Sequence, residues 1–189
     1  TFVRMNESEK HVDNHAVAFK KSDPNYILVG CDGGLYESFD RTKNWKFIDN
    51  LPLTQFYKIA VDDAEPFYHV YGGTQDNNTQ GAPSRTDNIH GIRNSDWYIV
   101  LGGDGHQPAT EPGNPNIVYV QWQRGNLNRH DKITGENVNI KPQADLGERT
   151  ERYNWDSPIL VSPHNPKRIY FASQRVWKSD DRGDSWTPI

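Results

Sequence analysis

The chain has few of the features that mark membrane, nucleic-acid-binding or disulfide-stabilised proteins. It has one cysteine, Cys31, among 189 residues, and a single thiol excludes an intrachain disulfide framework. No apolar run approaches the roughly 18 residues of a membrane-spanning helix. The net charge of -4 offers no basic stripe for nucleic acid. We therefore expect a soluble protein with no membrane span in this segment and no nucleic-acid partner.

Several sequence motifs are also missing. There is no phosphate-binding loop, no Gly-x-Gly-x-x-Gly and no Gly-x-Ser-x-Gly, which argues against nucleotide-binding and serine-hydrolase classes. The glycine-rich stretch 30–34 opens no helix and is interpreted as a strand turn. The chain starts at Thr1 without an initiator Met or a signal peptide, so we expect a processed or shortened chain.

The residues that are plentiful favour turns and strands. Twelve Pro, fifteen Gly, six Trp, nine Tyr and seven Phe are typical of a turn-rich all-β protein. Four prolines, at positions 24, 66, 115 and 166, each stand in a short polar turn before a strand-like apolar run. Their spacings of 42, 49 and 51 residues match the period of β-propeller blades.

Strands can be traced within each repeat. An innermost strand precedes each turn proline and is marked by Val17, Ile59, Pro108 or Ile159. Second, third and fourth strands follow, with an irregular third strand around 81–86 in the second repeat. We predict an all-β, single β-propeller segment of four four-stranded blades, at roughly 14–50, 54–103, 105–142 and 155–189. Open ends of such a segment would be exposed sheet edges, so we expect further blades or a second copy to pack against it.

The turns between third and fourth strands carry the most specific motif, the Asp box Ser-x-Asp-x-Gly-x-x-Trp. The last repeat matches all four fixed positions, and the first matches three, with Thr42 in place of Gly. The aspartate accepts turn N–H groups and the tryptophan covers the turn, which indicates a structural role. Asp131 is a remnant of the motif in the third repeat. The structural Asp-box residues are Ser38, Asp40, Trp45, Ser179, Asp181, Gly183 and Trp186.

Two Asp boxes at a propeller period resemble the BNR/Asp-box superfamily, which includes sialidases, xyloglucan-cleaving enzymes, the sortilin (VPS10) ectodomain and photosystem assembly factors. The chain is most similar to bacterial sortilin-like proteins often labelled "glycosyl hydrolase, BNR repeat", through the runs 11–15, 29–34, 72–77 and 102–105. The resemblance implies a multi-bladed propeller and an extracytoplasmic location, periplasmic or secreted. It implies little about chemistry.

Strand order predicts where the reactive groups lie. In an antiparallel blade, the turns between second and third strands lie on the same face as the connections between blades. We expect this face to form the mouth of the propeller channel and to hold a ligand site. The residues that we place on it are His11, Asp13, His15, Asp32, Asp76, Asp104, His106, Trp122, Arg124, Arg152, Trp155, Asp156 and Arg175.

Three chemistries suit this face. His11, Asp13 and His15 would point to one side of an extended strand and bind a divalent cation, although they equally suit a strand entry. Asp32, Asp76 and Asp104 are candidate catalytic carboxylates of a glycosidase, although each also suits a turn. A ligand that carries a carboxylate would be bound by arginine side chains on this face. The candidate ligand-binding residues are Arg124, Arg152, Arg175 and Trp122.

The sequence thus favours a propeller module that binds a carbohydrate or a protein, or serves as a scaffold. The alternative is a glycoside hydrolase that uses a carboxylate pair on the same face. A divalent cation is the one cofactor that the residues suggest.

Overall fold

A computed structural model describes residues 4–189. Its strands form four separate four-stranded antiparallel sheets. The first sheet contains β1 (Asn14–Phe19), β2 (Ile27–Cys31), β3 (Gly34–Ser38) and β4 (Lys46–Phe47). The second contains β5 (Lys58–Val61), β6 (His69–Gly73), β7 (Thr79–Pro83) and β8 (Tyr98–Leu101). The third contains β9 (Ala109–Glu111), β10 (Asn114–Trp122), β11 (Asn126–Asp131) and β12 (Asn137–Asn139). The fourth contains β13 (Ile159–Val161), β14 (Ile169–Ala172), β15 (Val176–Ser179) and β16 (Thr187–Pro188).

Each sheet joins its strands in chain order, as a propeller blade does. The all-β propeller-type architecture predicted from the repeats is therefore confirmed, and we call the sheets blades 1 to 4. Among the described residues the only helix is a 3-10 turn at Asn94–Asp96. Residues 4–189 contain no helix long and apolar enough to cross a membrane.

The chain divides into two compact units, Thr1–Thr54 and Gln55–Ile189. The first, here called the N-terminal unit, contains blade 1 around a core of Ile27, Val29 and Trp45. The second, the C-terminal unit, contains blades 2 to 4. The predicted bounds of the four blades, and their grouping into a single domain, stay predictions.

Strand β10 explains how the C-terminal unit is packed. Val118 and Val120 join Tyr71 of blade 2 in one core cluster, whereas Tyr119 joins Phe171 of blade 4 in another. Successive side chains of a strand point to opposite faces, so β10 is covered on both sides by neighbouring blades. This double burial accounts for the uninterrupted apolar run at 117–120.

Three details of the strand prediction are wrong. Pro108 lies just before the innermost strand of blade 3, because β9 begins at Ala109. Pro115 lies inside β10, not in a turn, and the turn before β10 is formed by Pro112 and Gly113, whose φ is +74°. The third strand of blade 2 is β7, which begins at Thr79 and ends at Pro83, earlier than expected. The connection from β7 to β8 is correspondingly long and contains the 3-10 turn, so blade 2 has no Asp box where the other blades have a short turn.

Candidate functional site

Two of the candidate catalytic aspartates meet in the C-terminal unit. The Asp76 backbone N–H, in the turn between β6 and β7, donates to Asp104 Oδ1 at 3.0 Å. The Gly105 N–H donates to the Thr74 carbonyl at 2.9 Å in the same region. A Cβ on Gly73 would lie 2.1 Å from the His106 carbonyl oxygen, so the two backbones approach as only glycine permits. Asp104, 5% exposed, therefore fixes the turn against the segment 103–106.

His106, two residues after Asp104, is a buried histidine whose ring nitrogens have no hydrogen-bond partner within the described chain. Its side chain is 1% exposed and its ring stacks on Tyr57, with the centroids 5.7 Å apart and the planes 3° apart. Trp155 meets the same ring edge-on at 6.3 Å. Within residues 4–189 neither ring nitrogen has a hydrogen-bond partner. Buried polar atoms are nearly always hydrogen-bonded, so we expect a water or a ligand to bind the two His106 nitrogens.

A lysine–aspartate pair accompanies the histidine. Lys58, the first residue of β5, donates to Asp156 Oδ2 at 2.7 Å. The other oxygen, Asp156 Oδ1, is buried and has no hydrogen-bond partner within the described chain. Burial lowers the pKa of His106, and the Asp156 and Asp104 charges oppose that effect only in part. The imidazole is therefore neutral at pH 7, with one nitrogen able to donate and the other able to accept.

Exposed aromatic rings surround these polar groups. Trp155 is 45% exposed and Tyr57 is 44% exposed. The Arg124 guanidinium lies 5.8 Å from the centre of the Trp155 ring, and its backbone N–H donates to the Trp155 carbonyl at 3.1 Å. Trp122 packs over Gly103, one residue before Asp104. We call the set comprising Tyr57, Lys58, Asp104, His106, Trp155 and Asp156 the His106 site.

The other two predicted ligand-binding arginines are placed differently. Arg175 donates to Glu151 Oε1, from Nε at 2.9 Å and from a terminal nitrogen at 2.6 Å, and its guanidinium lies 4.5 Å from the centre of the Trp177 ring. Glu148 is a second acidic partner at 3.2 Å. Arg152 is exposed, and its backbone N–H donates to the Gln174 side chain. The Arg175 charge is already neutralised, so it is poorly suited to binding a ligand carboxylate.

Arg175 instead lines a cavity of about 410 Å³ in the region of β12 and β16. Several of the polar groups around it already have hydrogen-bond partners. Trp186 Nε1 donates to the Ile140 carbonyl at 2.8 Å, and Trp177 Nε1 donates to Glu151 at 3.4 Å. This cavity thus offers few unsatisfied groups, unlike the His106 site.

In the N-terminal unit the predicted alternation of metal ligands is wrong. β1 begins at Asn14, and Asp13 has a φ of +52°, so His11, Asp13 and His15 do not follow one another along an extended strand. His15 Nε2 instead contacts Asp32 Oδ1. The His11 ring interacts with the Val12 carbonyl at 3.1 Å. Binding of a divalent cation by these residues stays a prediction, but alternation along an extended strand no longer supports it.

The Asp-box aspartates accept hydrogen bonds from residues of their own turns. Asp181 accepts from the Ser185 hydroxyl, the Ser179 hydroxyl and the Ser185 N–H, in that order of importance, and these bonds lower its pKa to about 2. The backbone N–H and the side-chain amide of Asn44 donate to Asp40, and these bonds lower the pKa of Asp40 to about 2 as well. Gly183 and Thr42 both have positive φ, +91° and +69°. These carboxylates are committed to local structure, which argues against a catalytic role.

Sequence reasoning missed Tyr57 and Lys58. It had placed His106, Trp155 and Asp156 on the predicted channel-mouth face, but a lysine and a tyrosine next to a strand carry no motif. The available signal was their position directly before the strand marker Ile59. The chain enters an innermost strand from the channel-mouth face, so residues at that point lie near it.

No protein-family model and no curated protein sequence matches the chain. Solved structures similar to it include a GH74 enzyme from Niastella koreensis, at 17% identity and a TM-score of 0.49 over 95% of this chain and 25% of that one. AztD from Citrobacter koseri is 12% identical, with a TM-score of 0.45 over 93% of this chain and 45% of that one. An auxiliary nutrient binding protein from Bacteroides thetaiotaomicron is 15% identical, with a TM-score of 0.46 over 94% and 41% of the two chains. The chain thus spans less than half of each of these proteins.

Proposed function

We propose that the C-terminal unit is a propeller module that binds a carbohydrate at the His106 site. The observation that carries this proposal is the buried His106 ring with two unsatisfied nitrogens, accompanied by the unsatisfied Asp156 Oδ1. Leaving such groups without partners costs roughly 1–3 kcal/mol each, which a bound ligand with matching polar groups would recover.

Sugar hydroxyls fit the polar groups of the site. Each hydroxyl both donates and accepts, so one can donate to the free Asp156 oxygen and another can satisfy either nitrogen of a neutral imidazole. The exposed rings of Trp155 and Tyr57 offer flat apolar faces for the C–H surface of a sugar ring. Aromatic walls with a few fixed polar groups are typical of small-molecule sites.

A ligand reaches these atoms through side chains that can move. The His106 nitrogens lie beneath the surface, but the neighbouring side chains of Lys58 and Trp155 are about half exposed. Exposed side chains change rotamer on fast timescales, so a hydroxyl or a bridging water gains access without backbone movement.

The module belongs, in this proposal, to a larger extracytoplasmic propeller of the sortilin-like BNR type. Further blades from the same protein or a second copy would complete the ring. Binding is favoured over hydrolysis because Asp104 already accepts the Asp76 N–H and Asp156 is paired with Lys58, so neither carboxylate is placed as an unengaged acid or base.

Isothermal titration calorimetry against a panel of neutral and acidic oligosaccharides tests the proposal. We expect wild-type protein to bind at least one of them, and Trp155→Ala to weaken that binding about tenfold through loss of an aromatic contact. Asp156→Asn should weaken it as well. Tyr68→Ala is the matched control, since Tyr68 is 49% exposed and lies beside the Pro66 turn, away from the site.

Three outcomes would contradict the proposal. One is the absence of binding to every oligosaccharide at millimolar concentration. Another is an equal effect of Trp155→Ala and Tyr68→Ala. The third is release of reducing ends by the wild type that Asp104→Asn, Asp76→Asn or Asp32→Asn abolishes, which would favour the glycoside hydrolase instead.

A further inference from the structure

Three blades place one residue of the turn between the third and fourth strands at an equivalent position. In each, its backbone N–H donates to the carbonyl of the residue after the repeat proline. The bonds are Arg41 to Asn25 at 3.0 Å, Lys132 to Asn116 at 2.9 Å and Arg182 to Lys167 at 3.0 Å. The repeat thus presents a long cationic side chain from the same point of blades 1, 3 and 4.

In blade 3 this cation reaches into blade 2. Lys132 Nζ donates to Asp62 Oδ2 at 2.9 Å. Asp62 directly follows the innermost strand β5, and its side chain is completely buried. The Tyr71 hydroxyl and the His69 N–H also donate to it, at 2.9 and 2.6 Å. The ion pair therefore joins two adjacent blades at a buried carboxylate.

Blade 4 repeats the arrangement on blade 3. Arg182 binds Glu111 through two nitrogens, at 2.7 and 2.6 Å. Glu111 is the last residue of the innermost strand β9, and its side chain is 2% exposed. Both contacts thus follow one rule, in which the turn cation of a blade binds an acid at the end of the innermost strand of the preceding blade. We call this contact the interblade ion pair.

Arg41 of blade 1 has the same position without the same partner. Its φ of +59° matches the +63° of Arg182. Its side chain is exposed, and within residues 4–189 it makes no ion pair. Arg41 therefore has the same backbone hydrogen bond as the cationic residues of blades 3 and 4 but lacks an acidic partner among the described residues.

A second contact identifies the same side of blade 1 as a blade-binding side. In blade 4, Trp186 Nε1 donates to the carbonyl of Ile140, just beyond the last strand of blade 3. In blade 1 the equivalent Trp45 Nε1 donates to the Asn6 carbonyl at 2.6 Å. The segment around Asn6 thus occupies the place that the end of a preceding blade occupies in the next repeat.

We propose that Arg41 forms an interblade ion pair with a further propeller blade, whose innermost strand ends in an aspartate or a glutamate. This blade packs on the side of blade 1 that carries Arg41 and Trp45. The inference is independent of the His106 site and concerns assembly of the propeller only.

Hydrogen–deuterium exchange of the complete gene product tests the proposal. Arg41→Met should raise the exchange rates of β3 and β4 amides roughly tenfold, because removing one partner leaves a buried carboxylate uncompensated. Arg182→Met should do the same for β15 and β16. Lys43→Met is the matched control, with the same charge change two residues along the turn, and Arg41→Lys should restore most of the protection.

The outcomes separate the alternatives. If Arg41→Met changes exchange no more than Lys43→Met while Arg182→Met raises it, the proposal is wrong. If Arg182→Met also has no effect, the interblade ion pair has no energetic weight and the proposal fails at its basis. Sedimentation of the same variants decides the occupant, since a wild-type dimer that Arg41→Met dissociates would assign the acid to a second copy and overturn the further blade.

Discussion

Removal of the Arg182 guanidinium should destabilise the C-terminal unit by about 3 kcal/mol, the lower end of the range for breaking a buried ion pair. Arg182→Met leaves Glu111 with weak remaining partners, the Asn114 side chain at 3.2 Å and the Tyr119 hydroxyl at 3.5 Å. The lower end applies because Arg182 itself is 31% exposed, so water reaches the vacated space.

A double-mutant cycle isolates the pair. Glu111→Gln should cost about 2 kcal/mol, since the guanidinium is partly hydrated once the charge is gone. The double variant should cost about 3 kcal/mol, which is less than the sum of the single changes and corresponds to a coupling of about 2 kcal/mol. Urea unfolding followed by tryptophan fluorescence measures all three, and with a slope of about 2 kcal/mol per molar urea the Arg182→Met midpoint falls by about 1.5 M.

The surface pair Arg168–Asp180 supplies the control. Its side chains are 36% and 47% exposed, so Arg168→Met should cost less than about 1 kcal/mol despite a short contact. Additivity of Glu111→Gln and Arg182→Met within about 0.5 kcal/mol would falsify the interblade role of the pair. Equal costs for Arg182→Met and Arg168→Met would do the same.

Two further predictions concern turns and close backbone contacts. Asp181 has a pKa lowered to about 2 when folded, so its stabilising contribution is present above pH 4 and is lost as the pH falls towards 2; Asp181→Asn should make the unfolding midpoint less dependent on pH over that window. An unchanged acid profile would show that the Ser185 and Ser179 bonds to Asp181 carry no weight. Gly73→Ala should cost more than about 2 kcal/mol in urea unfolding, because its Cβ would lie 2.1 Å from the His106 carbonyl. Gly102→Ala, whose Cβ would have an ordinary 3.7 Å contact, is the control, and equal costs for the two would contradict the described packing.

Much of the fold is predictable because its signals are local. A turn residue with positive φ, a carboxylate that accepts the next N–H groups and an aromatic cover lie within eight residues, as in 179–186. Blade identity and strand order follow from such signals repeated at a regular period. The error at Pro115 has a local cause too, because the Pro112–Gly113 turn lies next to it and β10 is long.

The candidate site is less predictable because its groups come from separate parts of the C-terminal unit. His106 belongs to the segment before β9, Lys58 to β5, and Trp155 and Asp156 to the connection before β13. Sequence reasoning chose a face from strand order and assigned His106, Asp156 and Asp104 to it together. It could not tell that Asp104 binds a backbone N–H while the imidazole remains unsatisfied.

The sequence by itself thus determined most of the strands and turns and the four-blade repeat, since these depend on contacts between residues close in the chain. Only the tertiary structure decided which charges are neutralised and which groups lack partners. Lys132 and Asp62 are 70 residues apart in the chain and Arg182 and Glu111 are 71 apart, yet each cation is in direct contact with a buried carboxylate. Such pairs depend on the packing of one blade on the next, because only that packing excludes water from a carboxylate and brings a cation to it.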